Sequence, residues 1–345
     1  MFSLSLVSIF IISFISIYLL IRNAEKLGLV DIPNERSMHT KLTPRGAGIA
    51  FVLPVFLVVI LFDLEYFKTY YYIYLAIAIV FIAGAWDDIK NISPKSKFLF
   101  IFISSLLLYV NDFAIVSLGT YLGYEVVLPS WLVFLFTFFA IAGYTNALNL
   151  MDGLDGLAAS LSLVMFVTFL TIGLEYNDKL LISLSSFFTV TLLAFLWFNW
   201  NPAKIFMGDS GSLTLGMVIS ILAIQSMQYI TPISALFIIA VPVLDTFIVM
   251  TRRIQRGNSP FKADKNHLHH FLFNVKGNVR YTVIVLVLMQ IVFSIIGYQL
   301  DPTNEFLSLI LFMILFYLFL NLFDQRLKRR KRQDNIENHM QEEER

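Results

Sequence analysis

The 345-residue chain is 58% hydrophobic and only 14% charged, with a mean hydropathy of +0.75, whereas an ordinary soluble domain carries roughly 25% charged residues. That composition excludes a soluble globular enzyme and points to an all-α polytopic membrane protein. The net charge of +1 says nothing until it is mapped onto the two faces, and the absence of cysteine excludes a disulfide framework, a thiolate metal site and a Cys nucleophile.

Apolar runs suited to crossing ~30 Å of hydrocarbon as helix fall at about 2-21, 47-62, 70-86, 98-111, 131-147, 157-174, 180-198, 212-229, 232-250, 281-299 and 305-323. They predict about eleven transmembrane helices. The first run has neither a basic leader nor an A-x-A-like cleavage site and reads as a retained span. The fourth is the weakest, and only a short link before Pro232 separates the eighth from the ninth. With no internal repeat and no long linker, residues 1-323 read as one transmembrane bundle. Residues 324-345 read as a basic, then acidic, tail.

Cytoplasmic loops carry the excess of Lys and Arg. With the N-terminus outside and the C-terminus cytoplasmic, 23 of the 25 fall on inner segments, leaving Lys68 and Lys179 outside. The tail "RLKRRKRQ" is most simply a topology anchor beside anionic lipid, an interaction motif being the second reading. The outer loops "DLEYFK" and "GLEYNDK" read as plain connectors, Asp178 included, so the chemistry is expected on the cytoplasmic face.

The first inner segment, "DIPNERSMHTKLTPRGAG", offers Arg36, His39, Lys41 and Arg45 to a phosphate, or is a solvated basic loop. The second, "GAWDDIKNISPKSK", sets Asp87 beside Asp88 at the end of a span. Adjacent helical residues do not face each other, so one carboxylate is expected toward a metal or nucleophile and the other toward a basic partner; helix-end solvation is the alternative. In "TNALNLMDGLDGLAAS", Asn146, Asn149, Asp152 and Asp155 recur every three residues and would drift round an unbroken helix. The helix must break or tighten there, as Gly153 and Gly156 permit, turning Asp152 and Asp155 toward one hard cation. Otherwise the stretch is a polar turn.

"FNWNPAKIFMGDSGSLTLG" places Asn199, Asn201 and Lys204 ahead of Asp209. Its "GDSGS" opens the eighth span where free N-H groups could receive a phosphate, or where Asp209 or Ser210 acts as an N-cap. Asp245, in "VPVLDTF", binds substrate or pairs with Arg252 or Arg253. The loop "RRIQRGNSPFKADKNHLHHFL" gathers His267, His269 and His270 behind five cations. Their spacing is not that of an H-E-x-x-H zinc helix, and a diphosphate suits them better.

Taken together and in order, "PNERSMHTKLTPRGAG", "WDDIKNISP", "NALNLMDGLDGLA", "FNWNPAKIFMGDSGS" and "ADKNHLHHFL" resemble the polyprenyl-phosphate N-acetylhexosamine-1-phosphate transferase family. The resemblance spans about residues 30 to 272. "HLHH" is similar to the branch that starts O-antigen, enterobacterial common antigen and teichoic acid synthesis from UDP-GlcNAc. The phospho-MurNAc-pentapeptide translocase branch arranges its histidines differently, and "RGAG" stands where the family often has three glycines.

The resemblance implies Mg²⁺-dependent transfer of a sugar 1-phosphate from a UDP-N-acetylhexosamine to undecaprenyl phosphate, releasing UMP, in the bacterial cytoplasmic membrane, with Mn²⁺ as a substitute. It implies Asp209 as main metal ligand, joined by Asp155. Asp87 and Asp88 would lie near the lipid phosphate, and Asp152 and Asp155 would complete the acidic cleft. Asn149 would orient substrate, while His267, His269 and His270 would hold the diphosphate. Arg36, His39, Lys41, Arg45, Asn146, Asn199, Lys204 and Asp245 complete the expected binding set. A homodimer is compatible with this reading, and no nucleic acid is expected. A secondary transporter would instead put its acids near the midplane of repeated halves, and a scaffold protein would leave the ordered motifs unexplained.

Overall fold

The computed structural model describes residues 2–31, 42–259, 267–300 and 302–321 and is 79% helical. The chain opens with α1 (Phe2–Leu27), the short paired strands β1 (Val30–Asp31) and β2 (Thr43–Pro44), α2 (Ala47–Phe62), α3 (Leu64–Thr69), α4 (Tyr71–Lys90) and α5 (Pro94–Tyr109). The hairpin strands β3 (Ser117–Tyr121) and β4 (Tyr124–Val127) precede α6 (Ser130–Met151), α7 (Leu157–Tyr176), α8 (Lys179–Asn199) and α9 (Asp209–Ser226). Then come α10 (Pro232–Ile238), α11 (Ala240–Gln255), α12 (Leu268–Lys276) and α13 (Val279–Gln299). The last described helix, α14 (Pro302–Asn321), begins with a 3-10 turn.

All eleven apolar segments contain helix. Among the described residues seven helices, α1, α4, α6, α7, α8, α13 and α14, are long and apolar enough to cross a membrane, and eight if α10 and α11 count as one span. The hairpin has no counterpart in the span pattern, which left the stretch before residue 131 unassigned.

The expected ninth span is not continuous: α10 and α11 meet at 88°. Pro242 explains the break, because it lacks an N–H and its ring clashes with the carbonyl four residues earlier, that of Ile238. Gln290 of α13 satisfies the freed backbone. Its Nε2 donates to the Ile238 carbonyl at 2.7 Å and its Oε1 accepts from the Val241 N–H at 3.1 Å. Unpaired backbone groups at membrane depth cost several kcal/mol each, which accounts for a fully buried glutamine.

At the centre runs α9, buried without interruption from Ser210 to Ile224 and packed against α2, α4, α6, α7, α8 and α10. Small residues permit this. A Cβ on Gly84 of α4 would collide with the Asp209 carbonyl. Gly48 of α2 abuts the backbone at Ser210 and Gly211 just as closely. Backbones in contact are the means by which helices associate in lipid, where apolar side chains gain nothing from leaving it. By contrast α14 is 17% buried in its most apolar stretch and α8 is 67%, so α14 lies at the periphery.

The helices run between two ends. At one, α4, α6 and α8 finish where α5, α7 and α9 begin, and all the described acidic motifs collect there. At the other, Asp178 caps α8 by accepting from the Leu181 N–H at 2.7 Å, and also accepts from Gln225 Nε2 at 2.6 Å and the Tyr229 hydroxyl at 2.9 Å. The connector reading of Asp178 is therefore corrected: it is buried and ties α8 to α9 and the turn after it.

Candidate active site

Five pieces of chain converge at the acid-bearing end: the segment before α2, the last turn of α4, the first turns of α5, the end of α6 and the start of α9. The break expected in "NALNLMDGLDGLA" is present. The α6 helix stops at Met151 with Asp152 as its C-cap, and α7 starts after Gly156 at φ +76°, a left-handed conformation that glycine adopts freely. Asn199 fixes the turn, accepting from the Gly156 N–H at 2.9 Å and donating to the Ile205 carbonyl at 2.8 Å.

Asp87 and Asp88 diverge as expected, and one of them, Asp87, has the expected basic partner, Lys97, while the other meets the start of α9. Buried Asp88 turns to α9 and accepts from the Asp209 N–H at 2.8 Å, the Ser210 N–H at 3.0 Å and the Ser210 hydroxyl at 2.5 Å. The Gly211 and Ser212 N–H groups donate to the Gly208 carbonyl. Three of the four N–H groups that a helix start leaves without a partner four residues back, those of Asp209, Ser210 and Gly211, are thus taken. A carboxylate of the same chain takes the Asp209 and Ser210 N–H groups that a phosphate would have met, and neither Asp209 nor Ser210 is the N-cap, which is Gly208. Arg45 donates to the Asp88 carbonyl at 2.9 Å while its Nε has no partner among the described residues.

Asp87 turns the other way. Its Oδ2 lies 2.9 Å from Lys97 Nζ, and Asp209 Oδ2 lies 2.5 Å from the same nitrogen. Asn149 Nδ2 donates to Asp209 Oδ2 at 3.3 Å. Lys97 is the site residue that motif reading missed. It counts as one more cytoplasmic cation in the sequence, and its partner Asp209 is 112 residues away. The one local signal is the helix start before it: Ser93 caps α5 by accepting from the Ser96 N–H, with Pro94 in the first turn, so Lys97 emerges one turn inside.

Asp152 stands on the turn beside these groups. Burial, then the negative charges of Asp209, Asp88 and Asp155, pushes its carboxyl well above the usual carboxylate range. Asp155 does not share a hydrogen-bonded cluster with Asp209. Its Oδ2 accepts from Asn201 Nδ2 at 2.9 Å and the Ala203 N–H at 3.0 Å, which binds the α6–α7 turn to the α8–α9 loop. Asn201 in turn accepts from Arg280 Nε through its carbonyl at 2.9 Å. Asn146 and Lys204 are exposed.

The histidines form a second wall. Asp245 meets the start of the histidine segment: its Oδ2 is 2.7 Å from His267 Nδ1 and its Oδ1 accepts from the Leu268 N–H at 2.6 Å. That fixes the start of α12. His269, buried, has no hydrogen-bond partner on either ring nitrogen among the described residues, and a Cβ on Gly153 would sit 2.7 Å from its Nε2. Burial lowers its pKa to about 3, so the ring is neutral. His270 stacks at an angle on it, centroids 4.3 Å apart. Arg36, His39 and Lys41 lie outside the described residues, as do the tail and residues 260–266 of the histidine loop.

Among the described residues no three His, Asp or Glu side chains converge closely enough to hold a metal by themselves. Two do converge on a cation, however: Asp87 and Asp209 on the Lys97 ammonium. That donor chemistry, hard oxygens from two helices plus the Asn149 amide, fits Mg²⁺, which takes one or two carboxylates and completes its shell with phosphate and water.

The family model described as Glycosyl transferase family 4 matches residues 70–227. A protein named probable undecaprenyl-phosphate N-acetylglucosaminyl 1-phosphate transferase, from Bacillus subtilis (strain 168), is 34% identical over 319 residues, 89% of this chain and 88% of that one. The undecaprenyl-phosphate alpha-N-acetylglucosaminyl 1-phosphate transferase of Escherichia coli (strain K12) is 31% identical over 333 residues, covering 92% and 89% of the two chains. Its namesake from Yersinia pestis is also 31% identical, covering 92% and 90%.

Proposed function

The chain belongs to glycosyl transferase family 4, and from that premise we propose that it moves N-acetylglucosamine 1-phosphate from UDP-GlcNAc to undecaprenyl phosphate, releasing UMP. The enzyme is a phosphotransferase of the bacterial inner membrane, and it starts a lipid-linked surface polysaccharide. The 23-to-2 division of Lys and Arg supports a cytoplasmic site with the N-terminus outside. One observation carries the position of the chemistry: the meeting of Asp87 and Asp209 on a single cation.

Asp87, Asp209 and Asn149 would hold Mg²⁺, or Mn²⁺ in its stead. When bound, the metal would neutralise charge on the donor diphosphate, as phosphoryl transfer requires. The protein's part is mostly positioning. Asp88 anchors the α9 start and so aims Asp209, which makes Asp87 the member of the pair that can face the acceptor phosphate. Lys97 and Arg45 supply positive charge to phosphate oxygens. His269, neutral in its buried setting, is suited to donate one hydrogen bond to the donor.

The test is UMP release by purified protein given undecaprenyl phosphate and a panel of UDP-sugars, with Mg²⁺ titrated. UDP-GlcNAc should be the preferred donor and a chelator should stop the reaction. Asp209→Asn keeps size and shape but removes charge, so turnover should fall on the order of 10²-fold or more. Near-parental turnover in that variant at an unchanged Mg²⁺ requirement would remove Asp209 from the metal site.

A further inference from the structure

Lys97 occupies the position where two carboxylates are best arranged to hold a divalent cation. Its Nζ is within 2.9 Å of oxygens from both Asp87 and Asp209, and all three side chains are largely shielded from solvent, with 14 to 22% exposure. An ammonium and a metal ion cannot share that point. Charge bookkeeping favours exchange: one ammonium leaves the two carboxylates with a net negative charge, and a divalent cation cancels it. The displaced ammonium then needs an anion of its own, since an unpaired charge in so shielded a place is costly.

The surroundings limit where a substrate phosphate can find positive partners. At the α9 N-terminus Asp88 already takes the Asp209 and Ser210 N–H groups, so these do not serve. Side chains must, and a lysine on a flexible four-carbon stem can swing where a backbone cannot. The two carboxylates and Asn149 also fall short of a complete metal shell, so a metal here depends on phosphate oxygens for further ligands.

We infer that Lys97 is an internal competitor for the divalent cation, leaving Asp87 and Asp209 only when an anionic substrate is present to receive it, so that metal and substrate bind cooperatively. This rests on the metal reading above. Coupling of this kind is reciprocal: whatever factor the anion adds to metal affinity, the metal adds to anion affinity.

The experiment is an electron paramagnetic resonance titration of Mn²⁺ into detergent-solubilised protein, with and without UMP. In the parent, UMP should tighten Mn²⁺ binding about ten-fold, within the usual range of site-to-site coupling. Lys97→Met should bind Mn²⁺ about ten-fold more tightly than the parent without UMP, and UMP should then add less than about two-fold. Lys97→Arg keeps the competing cation and should behave as the parent does. A purely structural bridge predicts the reverse for Lys97→Met: equal or weaker Mn²⁺ binding with UMP coupling intact, which overturns the inference while leaving the metal reading in place. If the parent takes up no Mn²⁺ even with UMP, the metal reading itself falls. Thermal melting of each variant checks the fold, and Lys97→Gln replaces Lys97→Met if the latter does not fold.

Discussion

The Asp88 carboxylate accepts both the backbone N–H and the hydroxyl of Ser210, joining the end of α4 to the start of α9 at the point where Asp209 enters the site. Asp88→Asn would turn an amide NH₂ toward N–H and O–H donors that need an acceptor. A stability loss of about 2 kcal/mol is expected, the scale of a lost cap plus an unsatisfied donor, with a fall in UMP release because Asp209 is no longer aimed. Ser210→Ala removes one bond and should cost about 1 kcal/mol. Thermal unfolding of both variants measures this; an unchanged melting point in Asp88→Asn would mean α9 is capped some other way.

A second expectation concerns the far end of the bundle. Asp178→Asn weakens the α8 cap and the bonds from Gln225 and Tyr229 at once, so a loss of about 1 to 3 kcal/mol should appear. The kinetics of the protein that remains folded should be close to those of the parent, since Asp178 is at the opposite end from Asp209. Altered Mg²⁺ dependence in this variant would contradict that separation.

Gln290→Leu keeps volume but strands the Ile238 carbonyl and the Val241 N–H at the bend. Two buried backbone groups left unpaired should cost about 2 to 4 kcal/mol, whereas Ser294→Ala, which removes only an acceptor for Gln290, should cost under about 1 kcal/mol. Comparison of thermal midpoints decides it: similar values for the two variants would show that the bend does not depend on Gln290.

His269 gives a pH signature. Its pKa is about 3 when folded against 6.5 for the free side chain, so the unfolded chain takes up the proton first. The stability that depends on a neutral His269 is complete above pH 6.5 and is lost progressively as pH falls from 6.5 toward 3, at up to ~1.4 kcal/mol per pH unit. The parent's melting temperature should therefore fall more steeply than that of His269→Gln between pH 7 and pH 4.5. Parallel curves would mean the ring is protonated in the fold, or reaches solvent.

Much of the site was legible because local rules determine it. Three-residue spacing of Asn149, Asp152 and Asp155 beside Gly153 and Gly156 is incompatible with one straight helix, and the turn is where that argument puts it. The divergence of Asp87 from Asp88 follows from helix geometry alone. What local rules do not contain is which distant group each side chain meets. Lys97 looked like a topology charge because its partner lies on α9, and the α9 start looked like a phosphate cradle because nothing in "GDSGS" announces Asp88. The bend at Ile239 hid inside an apolar run, where Pro242 was masked by hydrophobicity that suited a span. Asp178 looked inert for the same reason, its partners being some fifty residues onward.

The burial of α9 on every side has a consequence for how the protein is made. Of the helices packed against it, α2, α4, α6, α7 and α8 emerge from the ribosome before it and α10 after it. The helix that delivers Asp209 thus arrives after five of its six neighbours, into a gap its predecessors have to hold open, and the acid-bearing end cannot be complete until translation has passed α12, which brings His269. The stretch matched by the family model, residues 70–227, runs from the start of α4 to the end of α9. It is almost the shortest continuous length of chain that contains Asp87, Lys97, Asn149 and Asp209 together with the helices that bring them within reach of one another.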